Sequence, residues 1–414
     1  MLLPKYFSRN AVLPYPNLLL DDRIGIVVVI PAFKEDNLLA TINSLDSCED
    51  PGCKVVVVVV NNLSENASES DKRVQLELNE RIRQLQLRSP YLTVLPIEAF
   101  DLPSNNFGAG LARKIGMDLS ALHLYSMQKE SAVILSLDAD CLVAKSYFVE
   151  IFNAFKDKRL VGASIYFEHP LRGDLPPINY VAISQYELHL RYYNLMLKSI
   201  GFPNAFHTVG SSFAVRASSY VLAGGMTKKI AGEDFYFIQK LLSMGNYCEI
   251  NTTTVYPSAR LSSRVLFGTG AAVTKFVNSN DQHYFTFHPD AFIPLKELFS
   301  YSQLFFLYDS STWEDLIFSK LTPVLNSFFL EANVISLIIK LKANCSSLKV
   351  FQSRFYSLFD GLLIVRFLNY AHESCFAKLP VREAALKYLQ SQNIPFCADA
   401  CVDLLQLFRE IERG

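Results

Sequence analysis

The 414 residues exceed the ~100–200 of an average domain, so two or three domains are expected. Half of the residues are hydrophobic, 19% are charged and the formal net charge is −1. That balance excludes a disordered tail and gives no global attraction to nucleic acid or to an anionic membrane. Eight cysteines are scattered with no C-x-x-C, and reduced, cytoplasmic thiols are the simpler expectation. Cys397 and Cys401, one helical turn apart, read as small buried hydrophobes before they read as a metal clamp. Prolines and charges interrupt the first 22 residues, so no signal peptide is expected. No apolar stretch reaches the ~20 residues needed to span a bilayer. The expected setting is cytoplasmic, with at most peripheral membrane contact.

In chain order, residues 24–30 (IGIVVVI) and 54–60 (KVVVVVV) are β-branched runs without polar alternation. Both faces of each should be buried, as in a parallel sheet covered by helices. Residues 37–48 between them read as a helix, which completes a βαβ unit. A polar amphipathic helix over 68–87, a short strand over 91–96 and a helix over 110–129 follow. Residues 132–137 (AVILSL) form a third buried strand that ends at Asp138. Strand–helix alternation of this kind predicts a wound α/β sheet, with ligands at the carboxyl ends of its strands. Next come a helix over 147–156, strands over 160–167 and 210–215, and a helix over 234–243 closed by Gly245. From about residue 290, Leu/Phe/Ile-rich segments with helical spacing occupy 313–321, 322–341, 353–370, 381–392 and 398–412.

The polar residues after the strands are the candidates for chemistry. Asp138 and Asp140 follow a buried strand directly. Two like charges that close need a counter-charge, which a divalent cation bridging a substrate diphosphate would supply; a solvated acidic turn is the bland alternative. Asn61 and Asn62 end the second strand, where amides can read a nucleobase edge or simply form a turn. Gly108 lies in a loop that runs into a helix carrying Arg113 and Lys114, which suits a phosphate or equally a plain helix start. Glu233 and Asp234 open a helix, either complementing its dipole or supplying a general base. Arg260 and Arg264, four apart, suit phosphate oxygens. His283 or His288 is a candidate third metal ligand, although a lone histidine is more often structural.

Taken in order, these pieces resemble the family 2-like glycosyltransferases of the GT-A fold. Val29-Ile30-Pro31-Ala32-Phe33-Lys34-Glu35 looks like that family's opening strand and turn. Residues 57–64 (VVVVNNLS) look like its second strand, and 106–116 (NFGAGLARKIG) like its Arg-bearing segment. Residues 137–141 resemble the D-x-D strand end, 210–225 the acceptor-side strand, and 232–236 (GEDFY) the E-D motif. The resemblance covers about residues 24–270. It implies a GT-A catalytic domain over 1–285, a mixed sheet flanked by helices, with a nucleotide half at about 24–140 and an acceptor half at about 141–285. A mostly helical domain over 286–414, open to self-association, would follow. It further implies that Pro31, Ala32, Phe33, Glu35 and Asn61 contact the nucleotide of a nucleotide-sugar donor. Asp138 and Asp140 would face the diphosphate and Mg²⁺ or Mn²⁺, and Asp234 would deprotonate a sugar, lipid-linked or small-molecule acceptor, with Glu233 in support. Asn61-Asn62 stands where the family has an acidic pair, and Q-x-x-R-W is absent, which argues against a processive synthase. The Arg260/Arg264 and histidine pattern resembles some retaining enzymes with small phosphorylated acceptors. A degenerate nucleotide-binding domain without catalysis is the further alternative.

Overall fold

The computed structural model describes residues 5–10, 18, 21–105, 107–227, 232–262, 268–279, 281–397 and 400–414. Two compact units emerge, the first from Met1–Pro170 and Thr208–Arg260, the second from Leu171–His207 and Thr269–Gly414, with residues 261–268 divided between them.

The first unit is built on an eight-stranded sheet. Its strands are β1 (Ile24–Ala32), β2 (Lys54–Ser64), β3 (Leu92–Leu102), β4 (Val133–Ser136), β5 (Leu142–Val143), β6 (Gly162–Phe167), β7 (Phe213–Arg216) and β8 (Tyr247–Tyr256), in the order β3-β2-β1-β4-β7-β6-β8-β5. β1 pairs in parallel with β2 and β4, and β2 with β3, while β7 runs antiparallel to both β4 and β6. The valine runs explain the centre: Val27 to Ile30 and Val57 to Val60 have no solvent exposure, as strands covered on both faces require. Flanking helices are α1 (Lys5–Arg9), α2 (Leu38–Asp46), α3 (Glu69–Arg83), α4 (Ala109–Ser126), α5 (Tyr147–Ala154), α7 (Ala217–Leu222) and α8 (Glu233–Met244). The expected mixed sheet flanked by helices is therefore present, and the carboxyl ends of β1, β2 and β4 lie at one edge because those strands are parallel.

The second unit is helical. Its longest element is α6 (Pro177–Ser199), which buries Leu188, Tyr192 and Leu195 in one continuous core with Phe292, Trp313, Phe355 and Phe408. The expected boundary at residue 285 therefore differs from the observed division: α6 and α9 (Thr269–Val277) belong with the helical core. Two expected long helices are broken. Residues 322–341 fold as Pro323–Glu331 and Val334–Ala343, bent by 75°, with Asn333 at φ 52 between them. Residues 353–370 are interrupted at Asp360, whose carboxylate accepts from the Leu363 N–H and starts a new helix. Among the described residues no single helix is long and apolar enough to cross a membrane.

Candidate active site

The strongest convergence of charge in the first unit is at the carboxyl end of β4. Leu137 extends β4 by donating its N–H to the Val29 carbonyl, and the chain then turns, with the Cys141 N–H donating to the Asp138 carbonyl. This turn puts Asp138 and Asp140 beside each other. Arg113, near the start of α4, is 4% exposed. Its Nη2 donates to Asp138 Oδ1 at 2.7 Å, and its Nη1 bonds to Glu233 Oε1 across 120 positions of sequence. Burial opposes the Arg113 charge, but the carboxylates of Asp138, Glu233 and Asp234 outweigh it and hold the guanidinium protonated above its ordinary range.

Two glycines let the acids come this close. A methyl group on Gly110 would stand 2.7 Å from the Glu233 carboxyl carbon, and one on Gly210 would stand 2.6 Å from Asp234 Oδ2 and 3.3 Å from Arg113 Nη2. Gly210 is itself held to β4, its carbonyl accepting from the Ser136 hydroxyl at 2.6 Å. Burial pushes the Glu233 and Asp234 carboxyls above their ordinary range, with Arg113 opposing. Asp234 also accepts from the Phe235 N–H at 2.7 Å.

Arg260, which follows β8, forms the second arginine centre. Its Nε donates to Asp140 Oδ2 at 2.6 Å and its Nη2 to Glu35 Oε2 at 2.7 Å. Burial pushes the Asp140 carboxyl up, Arg260 pulls it down and Asp138 pushes it up again. Among the described residues, five carboxylates (Glu35, Asp138, Asp140, Glu233 and Asp234) thus stand around two guanidinium groups. Pro31 and Ala32 are buried at the end of β1, and Phe33 meets Phe107 edge-to-face with centroids 5.1 Å apart.

Other candidates lie elsewhere. Asn61 and Asn62 are not in a turn, because pairing with Glu98 and Ala99 of β3 carries β2 on to Ser64. Both are fully buried. Asn61 Nδ2 donates to Asn79, whose own amide donates to Glu98 at 3.1 Å. Asn61 Oδ1 and Asn62 Nδ2 have no hydrogen-bond partner. Successive strand residues point to opposite faces, so the two amides cannot read one base edge together. Lys114 is one helical position from Arg113, hence about 100° around α4. It donates to Asp118 Oδ2 at 2.7 Å in a buried cluster with Tyr6 and Tyr220, not to the carboxylates around Arg113. Gly108 precedes α4 and supplies no side-chain cap. Arg264 lies outside the described residues. His283 is exposed and belongs to the second unit. Among the described residues no three His, Cys, Asp or Glu side chains form a group able to hold a metal ion, and this includes the expected set of Asp138, Asp140 and His283.

The chain matches solved structures of S. aureus TarS and of GalNAc-T7 at low identity. Residues 1–349 of S. aureus TarS in complex with UDP-GlcNAc match at 12% identity and TM-score 0.39, over 91% of this chain and 94% of that one. The complex of the same TarS fragment with UDP matches at 13% identity and TM-score 0.38, over the same shares. GalNAc-T7 with UDP, GalNAc and Mn²⁺ matches at 14% identity and TM-score 0.36, over 69% of this chain and 51% of that one. No protein-family model and no curated protein matches the chain. At these scores the likeness says nothing about which residues act, and that reading rests on the side chains.

A divalent cation fits the oxygen donors in part. Asp138 and Asp140 offer carboxylate oxygens, which suit hard cations such as Mg²⁺ or Mn²⁺. Among the described residues no third His, Cys, Asp or Glu completes a metal-holding group with this pair, so a bound diphosphate would have to complete the coordination. Sequence reasoning did not find Gly110 and Gly210 as the spacers of the acid pair. Their only signal is tertiary, because the side chains they admit come from α8.

Proposed function

We propose that the chain is a nucleotide-sugar-dependent glycosyltransferase that inverts the sugar's configuration. The observation that carries this reading is the convergence of Asp138, Glu233 and Asp234 on the single buried guanidinium of Arg113. The motif order along the sequence supports it. Asp234 is the base: burial raises its proton affinity, and a carboxyl tuned upward is a better acceptor for a hydroxyl proton near neutral pH. The acceptor oxygen forms its bond to the anomeric carbon as that carbon's bond to the diphosphate breaks. The acceptor proton passes to Asp234, and the nucleoside diphosphate leaves with the electron pair. Arg113 fixes Asp138 and Glu233 through its two guanidinium contacts. A divalent cation, when bound at Asp138 and Asp140, would stabilise charge on the departing diphosphate.

The test is release of nucleoside diphosphate from a panel of nucleotide sugars, with and without Mn²⁺, alongside thermal shift with the free nucleotides. One nucleotide should raise the melting temperature by mass action, and its sugar should be turned over. Asp138→Ala should lower that turnover at least about 100-fold, on the scale of losing one preorganised charge-stabilising group. Neither binding nor turnover with any nucleotide would sink the reading.

Gly210→Ala gives a finer check. Gly210 is not among the residues with positive φ, so only the clash with Asp234 and Arg113 is at issue. Displacing the carboxylate by about 1 Å should cost about 100-fold in kcat, while the nucleotide-induced thermal shift stays within error of wild type. An unchanged kcat would remove Asp234 from the reacting centre.

A further inference from the structure

We infer that the short helix α1 is a positioning clip: Tyr6 ties α4 to the turn after α7 and so holds Arg113 in register with Glu233 and Asp234. The consequence for rate rests on the transfer reading above; the clip itself does not. Tyr6 enters a buried cluster. Its hydroxyl donates to Asp118 Oδ1 at 2.6 Å and accepts from Lys114 Nζ at 3.3 Å. Lys114 also donates to Asp118 Oδ2 at 2.7 Å, and Tyr220 of α7 donates to the same carboxylate. Burial, and after it Asp118, push the Tyr6 phenol above its ordinary range, so it stays a donor. Phe7, the next residue, is buried and meets Tyr125 edge-to-face with centroids 5.5 Å apart. Lys114, Asp118 and Tyr125 lie along one stripe of α4, so α1 grips that helix over about three turns. Arg113 is about 100° around the helix from the stripe, where it meets Asp138 and Glu233. α1 therefore acts on the site through α4, not by contact.

The other jaw of the clip is the turn after α7. Gly225 there has φ 64, and a methyl group on it would overlap the Tyr6 hydroxyl. Its carbonyl accepts from Lys240 of α8 at 3.4 Å. A line of contacts thus runs from α4 through Tyr6 and Gly225 to α8, whose first two residues are Glu233 and Asp234. One phenol spans the two helices whose spacing sets the Arg113–Glu233 contact. Tyr220 already links α7 to α4 at Asp118. Tyr6 adds a second link at the same carboxylate, from a segment more than 100 positions away in sequence.

Full-length wild type, Tyr6→Phe and Phe7→Ala are compared by amide hydrogen exchange and by steady-state kinetics with the nucleotide sugar that wild type turns over. Tyr6→Phe keeps the ring and loses the bond to Asp118; Phe7→Ala loosens α1 without touching that carboxylate. Exchange at residues 109–118 and 233–240 should be about tenfold faster in both variants, on the scale of losing one hydrogen bond to a charged group. The central strands β1 and β2 should exchange as in wild type, which separates local loosening from general destabilisation. In both variants kcat should fall about tenfold with the donor KM within about twofold of wild type, as when reacting groups are misplaced around a substrate that still binds. Unchanged exchange at 233–240 in Tyr6→Phe would show that α8 does not feel α1, and would overturn the clip whatever the activity. Faster exchange in both segments with wild-type kcat would overturn the positioning role. If wild type turns over no nucleotide sugar, the transfer reading falls, and the exchange measurement still decides the clip.

Discussion

Asp234→Asn should reduce kcat by about 10²–10⁴-fold, the range that a positioned general base contributes, while leaving nucleotide binding within about threefold of wild type. The asparagine is nearly isosteric, so it still fits beneath Gly210, where a methyl group would stand 2.6 Å from the carboxylate oxygen. What it loses is the capacity to take a proton. Glu233→Gln should behave differently. Its carboxylate is paired with the Arg113 guanidinium inside the protein, so the amide weakens the contact that holds Arg113 in place and loosens Asp138 as well. The Glu233 variant should lose stability and nucleotide binding along with rate. The pH profile separates the two further. Burial raises the Asp234 carboxyl above its ordinary range, so activity should rise with pH through an apparent pKa higher than that of a free aspartate. Below that point the base is protonated and inactive. Asp234→Asn should remove this limb of the profile. Retention of the limb in the variant would assign it to another group.

The wound sheet was legible because its central strands are written in uninterrupted valine and isoleucine, and residues 24–30 and 54–60 have no other stable home than a strand buried on both faces. The acidic site was legible for a related reason. In a parallel sheet the residues just past the strand ends share one edge, so Asp138 and Asp140 were marked by position. The family resemblance added Glu233 and Asp234, which local patterning could not tie to that edge. The Asn61-Asn62 turn was misplaced because strand length depends on the partner: β3 continues through Ala99 and holds β2 in register past both asparagines. Lys114 was grouped with Arg113 by adjacency, but helical geometry turns neighbours to different sides, and Asp118 four residues on captures it. α6 was missed as an element because it carries Asn179, Gln185, Glu187, Arg191 and Asn194 on buried positions, which blurs the apolar stripe that a sequence reading depends on. Gln185, Glu187, Arg191 and Asn194 each find a partner in a distant part of the chain, a fact with no local signature.

Arg191→Met should destabilise the helical unit by about 3–5 kcal/mol, the cost of breaking a buried ion pair by removing one partner. Arg191 is fully buried on α6. It donates through Nε and Nη2 to Glu187 Oε1 at 2.9 and 2.7 Å, and its Nη1 bonds to Glu412 of the C-terminal helix Cys401–Arg413. Arg409 of the same helix donates to both Glu187 oxygens, at 2.7 and 2.8 Å, and His207 meets Glu412 at 2.9 Å. Without Arg191, the two carboxylates keep their burial and lose their shared counter-charge. Trp313 is the only tryptophan in the chain and lies 1% exposed in this core, so its fluorescence during urea unfolding reports on the helical unit. Wild-type stability by that probe would exclude a structural role for the network. The network also fixes a pH response. Although burial opposes it, His207, Arg191 and Asn194 hold the Glu412 carboxyl down at about 2, against an ordinary 4.5. A depressed folded-state pKa contributes stability above the unfolded value, and that contribution drains away as pH falls from about 4.5 towards 2. Glu412→Gln should be less stable than wild type at neutral pH, and the gap between them should narrow across that acid window. A gap independent of pH would mean that the charge on Glu412 adds nothing beyond its shape.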